Sequence, residues 1–220
     1  MKKRGRQHQK KFRRKGTYQR EPIINTFNEI DLFGTYSYAS YLKWKFEERV
    51  ELIKGKVFQM GAPSVNHQRL LGFIHWEIYS VLRFQSCEVF TAPFDVRFPD
   101  KSTSNNKVFT VLQPDVCVVC DDSKLDKRGC IGAPDIVVEI LSPGNGKIEL
   151  EYKYGIYEKY GVREYWVVQP NEKSILKYVL NSDGRFVAGV LHYGRTEFVS
   201  DVLPGFRIKI DECFGVMRDD

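Results

Sequence analysis

Apolar positions recur along this chain with two different periods, and the changes between them set the expected elements. In residues 64–84, Leu70, Leu71, Ile74, Ile78, Val81 and Leu82 return at helical spacing, with Ser64 placed to cap the first turn. A second helix is expected over residues 148–160, closed by Gly161, and a short aromatic-rich one over 36–48. Apolar, β-branched runs of strand length occupy residues 88–98, 108–119, 135–141, 164–168, 175–180, 186–192 and 206–210. Residues 50–58 read as a hairpin turning at Lys54-Gly55. Helices early, a mixed sheet in the middle and strands late predict one α/β (α+β) domain over residues 21–220, with no internal repeat and no second-domain linker.

Two of the apolar runs carry acids where a buried strand should not hold them: Gln113-Pro114-Asp115-Val116-Cys117-Val118-Val119 and Pro134-Asp135-Ile136-Val137-Val138-Glu139-Ile140-Leu141-Ser142. A carboxylate there pays a desolvation cost unless it meets a cation, a donor or a proton. Asp115 and Glu139 on neighbouring strands are therefore candidates to share one divalent cation, an arrangement suited to phosphodiester hydrolysis. The competing reading makes Asp115 a turn acid and Glu139 a satisfied core acid. Asp135 lies on the same face as Glu139 but roughly 13 Å along the strand, too far to join it. Glu149, Lys153 and Tyr157 share a helix face, so Lys153 either points into a cleft or makes a surface pair with Glu149 worth a few tenths of a kcal/mol. His67 and His75, eight residues apart on the first long helix, could each reach the cleft, but a lone helical histidine more often caps or packs.

Charge changes the picture at one end only. The net charge is +6, yet residues 1–20 hold ten basic residues and no acid, which leaves the remaining 200 at −4. Such a tail, expected to be disordered, either grips phosphate backbones without sequence preference or serves as a solubilising extension. No apolar run reaches about 18 residues and no signal-peptide core is present, so no membrane span is expected and the cytoplasm is the expected location. Five cysteines form no disulfide framework, and the odd Cys117–Cys120 separation on a strand sends those side chains to opposite faces. Five reduced cysteines are expected. No Gly-rich phosphate loop or nucleophile–base pair supports a small-molecule enzyme.

The Pro-Asp at 114–115 and the glutamate at 139 resemble the PD-(D/E)XK nuclease superfamily. Glu51-Leu52-Ile53-x-Gly55, Asn66-His67-Gln68, the block from Gly132 to Pro143 and Lys153-x-x-x-Tyr157-x-x-x-Gly161-Val162-x-Glu164-Tyr165-Trp166 are similar to its branch of bacterial "putative restriction endonucleases", over residues 35–215. That resemblance implies a restriction-endonuclease-like mixed sheet flanked by helices. It also implies Mg²⁺ or Mn²⁺ held by Asp115, Glu139 and the carbonyl of Ile140, with Glu51 at a second metal or its water, although an acid on a short hairpin could equally face solvent. The superfamily lysine, expected where Leu141 stands, is supplied by Lys153. DNA is the implied substrate, with RNA as the variant, and a homodimer is allowed. Lys54 and Lys56 stand where the family has acids, Glu149 replaces an aspartate, and Gln169-Pro170 replaces Asp-Pro. These departures keep open a rival: a catalytically silent nucleic-acid-binding or regulatory module retaining the fold.

Overall fold

The computed structural model describes residues 23–142 and 146–218, and of residues 146–149 the backbone alone. The basic tail lies outside the described residues. In chain order the elements are α1 (Tyr38–Tyr41), β1 (Val50–Ile53), β2 (Lys56–Gln59), α2 (Val65–Leu82), β3 (Glu88–Thr91), β4 (Asp95–Arg97), β5 (Val111–Leu112), β6 (Val116–Val119), β7 (Leu125–Asp126), β8 (Gly129–Ile131), β9 (Ile136–Ile140), α3 (Gly146–Tyr160), β10 (Glu164–Gln169), β11 (Ser174–Val179), β12 (Val190–Tyr193), β13 (Glu197–Val199), β14 (Arg207–Lys209) and α4 (Ile210–Gly215).

They build a mixed α+β architecture with two six-stranded sheets, ordered β2-β1-β5-β4-β8-β7 and β12-β11-β10-β9-β6-β3, and a separate β13-β14 pair. The parallel β9–β10 pair takes α3 as its crossover. Period-two alternation divides the residues of the second sheet between two cores. Val116, Val118, Ile136, Val138 and Trp166 pack against Leu70, Ile74 and Ile78 of α2. Cys117, Val119, Val137, Tyr165 and Val167 pack with Ile156 and Tyr157 of α3, in a cluster that also holds Ile53, Val96 and Leu112 of the first sheet. Helix α3 thus lies in the core common to both sheets, and odd-numbered Glu139 faces it.

The 88–98 and 108–119 runs, expected as single strands, are each broken, at Pro93 and at Pro114. Proline donates no backbone hydrogen bond and holds the preceding residue extended, so the ladder stops there. Each break carries the chain from one sheet to the other, β3 to β4 and β5 to β6. The hairpin turn stands as expected, with Lys54 and Gly55 both at positive φ, 51° and 80°. The 36–48 helix shrinks to one turn capped by Ser37, because Tyr38 and Tyr41 are held by Asp95 and Trp44 turns to stack on Phe46. The 121–133 loop contains the β7–β8 hairpin, and the last strand runs on into α4.

One expectation is corrected outright. Cys87 and Cys120 are joined in a disulfide, S–S 2.07 Å, and only Cys117, Cys130 and Cys213 are free, all buried. The pairing is cross-strand: β3 and β6 align Glu88 with Val119, so residues 87 and 120 meet one step beyond the ladder. Among the described residues no helix is long and apolar enough to cross a membrane.

Candidate active site

The C-terminal end of β9 and the strand-start of β6 meet the first turn of α2 and the inward face of α3. There the side chains of Glu51, Asp115, Glu139 and Lys153 converge. Lys153 Nζ lies 3.1 Å from Glu51 Oε1 and 3.1 Å from Glu139 Oε1, with side-chain exposures of 6%, 2% and 9% for the lysine and the two acids. One buried cation is therefore shared by two buried carboxylates, one from each sheet. The surface-pair reading of Lys153 fails, because its face of α3 also carries Ile156 and Tyr157 into the core; the Glu149 side chain lies outside the described residues. The Tyr157 hydroxyl donates to Glu139 Oε1 at 2.6 Å, and the Gln113 backbone N–H donates to Glu51 Oε1 at 2.8 Å.

Asp115 occupies the step between Pro114 and β6. Its Oδ2 accepts the Ile140 N–H at 2.7 Å and lies 3.2 Å from His67 Nε2. Ser64, accepting the His67 backbone N–H at 3.1 Å, fixes the first turn that aims this imidazole, while His67 Nδ1 is buried with no partner among the described residues. His67 is thus a site residue, the less common of the two roles open to it in the sequence. Nothing about a lone helical histidine separates the two roles. His75 instead stacks on Tyr79, and Asp135 binds the Cys120 N–H and Arg163, away from the site.

A cavity of about 300 Å³ is lined by Arg49, His67, Asp115, Glu139, Ile140 and Lys153, among others. Glu51 sits one step behind this wall, reached through Lys153. Burial pushes the Glu139 carboxyl up to about 8; the Lys153 ammonium pulls it back, and the charges of Asp115 and Glu51 add to the rise. Burial likewise holds the Tyr157 hydroxyl well above its ordinary value, so it serves as a donor. The donor set suits a hard divalent cation. Two carboxylates face the cavity, and a strand residue directs its N–H and C=O to the same side, so the Ile140 carbonyl shares the edge on which its N–H meets Asp115. Among the described residues no group of three or more His, Cys, Asp and Glu side chains is preassembled as a cage. Gln113, Tyr157 and Arg49 carried no role in the sequence reading. The only signals were that Tyr157 follows Lys153 by one helical turn and that Arg49 shares strand parity with Glu51.

The mixed α+β fold that carries this lysine-bridged acid pair is of a nuclease-like class, as the comparisons with known proteins show for the fold. Residues 38–211 match the Uma2 family model, described as "Putative restriction endonuclease", and the chain belongs to this family. It is similar to an uncharacterized protein of Synechocystis, 27% identical over 185 residues that span 83% of this chain and 93% of the relative. The fold is similar to the crystal structure of a "putative nuclease" of the DUF820 group from Anabaena variabilis, with a TM-score of 0.65 at 20% identity, over 82% of this chain and 98% of that one.

Proposed function

We propose that this chain is a metal-dependent endonuclease that hydrolyses phosphodiester bonds in DNA, with Mg²⁺ or Mn²⁺ as its cofactor. The observation that carries the reading is the buried lysine shared between Glu51 and Glu139, on the wall of a cavity that also contains Asp115. Asp115, Glu139 and the Ile140 carbonyl would hold the cation. When bound, a divalent cation there supplies Lewis-acid activation of water and neutralises charge at the phosphate. Lys153 offers its ammonium from the cavity wall to the phosphoryl oxygens as their charge grows. Glu51 commits its Oε1 to Lys153 and to the Gln113 N–H, and so orients the lysine. Tyr157 fixes the rotamer of Glu139, and the Ile140 N–H together with His67 fixes that of Asp115.

The deciding experiment is plasmid nicking with Mg²⁺ or Mn²⁺ by wild type and Glu139→Ala. Cleavage by wild type that is lost in the variant supports the enzyme. Wild type that binds DNA but cleaves neither DNA nor RNA with any divalent metal would instead support the silent binding module.

A further inference from the structure

The acids of the site create a difficulty for an anionic substrate. Two carboxylates, Asp115 and Glu139, line the cavity with Glu51 behind its wall, and the Lys153 ammonium is already engaged by Glu51 and Glu139. An approaching phosphodiester needs a cation whose charge is not already directed at an acid. Arg49 supplies one. It directly precedes β1 and shares strand parity with Glu51, its backbone carbonyl is held by the Met60 N–H at 2.9 Å, and its side chain lines the same cavity as Asp115, Glu139 and Lys153.

Its partner is neutral. Nε and Nη2 of Arg49 donate to Gln113 Oε1 at 3.2 and 3.0 Å, and among the described residues no carboxylate pairs with it. The amide orientation of buried Gln113 is dictated from its other end: Nε2 donates to Asp95 Oδ1 at 3.0 Å and to the Tyr41 hydroxyl at 3.1 Å. Asp95 can only accept, so the Gln113 oxygen must face Arg49. This contact uses the Nε–Nη2 edge of the guanidinium and leaves its Nη1–Nη2 edge, the fork that matches two phosphate oxygens. The same glutamine places its backbone N–H on Glu51, so the arginine and the acid cluster are set by one residue.

Building on the nuclease reading, we infer that Arg49 is a substrate-binding residue whose end-on fork holds the non-bridging oxygens of a backbone phosphate at the mouth of the acid site. Lys153 then acts at the reacting phosphate, and Arg49 holds the strand.

The test uses the full chain and a short fluorescein-labelled DNA duplex. Anisotropy is read with Ca²⁺ replacing Mg²⁺, and steady-state cleavage with Mg²⁺. Arg49→Ala should weaken binding about ten- to hundredfold. It should also lower the slope of log K against log salt by about one and raise KM more than it lowers kcat. Arg49→Lys, which keeps the charge but not the fork, should retain the salt slope and recover only part of the affinity. If Arg49→Ala fails to fold, the lysine variant carries the test. Binding and KM equal to wild type, or lost affinity with an unchanged salt slope, overturn the assignment while the nuclease reading stands. Wild type that neither binds nor cleaves nucleic acid overturns both.

Discussion

Replacing Lys153 by methionine removes one cation and leaves its partners buried. The methionine fills most of the lysine stem's volume, so the cavity contribution is small and the cost is electrostatic. Losing one partner of a buried pair typically costs about 3–5 kcal/mol, because the remaining charge has no counterion and little water. Here two acids lose their cation, at 3.1 Å each. The second adds less than the first, because burial already favours the protonated form of Glu139, whose carboxyl is pushed up to about 8 even beside the ammonium. The expected loss is therefore about 3–5 kcal/mol, set mainly by Glu51, out of a total of about 5–15 for an ordinary domain. Urea unfolding at neutral pH in EDTA measures it. Pairing the change with Glu51→Gln should recover a large part of the loss, a non-additivity that only groups in contact produce. The pH dependence has a definite sign. Glu139 has a folded-state value above its unfolded one, so its contribution is fully present below the unfolded value and is lost as pH rises toward the folded one. Without the lysine that folded value moves higher, so the deficit against wild type widens with rising pH. A loss under about 1 kcal/mol, with no recovery in the double variant, would mean that Lys153 is an exposed surface residue and would refute the buried-bridge argument.

Mn²⁺ should raise the melting temperature of the wild type, by mass action on the folded state, and Asp115→Ala and Glu139→Ala should each abolish that shift; a shift of unchanged size in both would reject these ligands. Deleting residues 1–20 should flatten the dependence of log K on log salt for DNA, since ten basic residues leave with them, and an unchanged slope would assign the tail to solubility. Alkylation of the denatured, unreduced protein should label three thiols, at Cys117, Cys130 and Cys213, and five after reduction; five in both cases would remove the Cys87–Cys120 bond.

Helix α2 was legible from its apolar period and from Ser64, because both signals are local. The strands were legible as apolar runs, but not the sheet to which each belongs. Pro93 and Pro114 could be read as breaks, yet only long-range pairing decides that the chain changes sheets at them. Asp115 and Glu139 stood out as acids within apolar runs. The burial of Lys153 was also encoded, since Ile156 and Tyr157 share its helix face, but helical spacing says which residues lie together and not which face turns inward. Arg49 had no such marker and His67 only its place in the Asn66-His67-Gln68 stretch: each acquires its position from a residue 64 or 48 positions away, Gln113 and Asp115. The cross-strand disulfide was hidden for the same reason, because the 33-residue separation of its cysteines says nothing about strand register.

The lysine shared by two buried acids also bears on how such a protein changes over generations. Glu51 and Glu139 share Lys153 as their buried counterion, so loss of any one of the three is penalised through folding, whether or not the protein still cuts. In a descendant freed from its chemistry, drift begins where a change leaves no buried charge behind, at half-buried Arg49. The balanced trio goes last, and its members go together, with a neutral residue replacing the lysine in the same lineage that neutralises an acid.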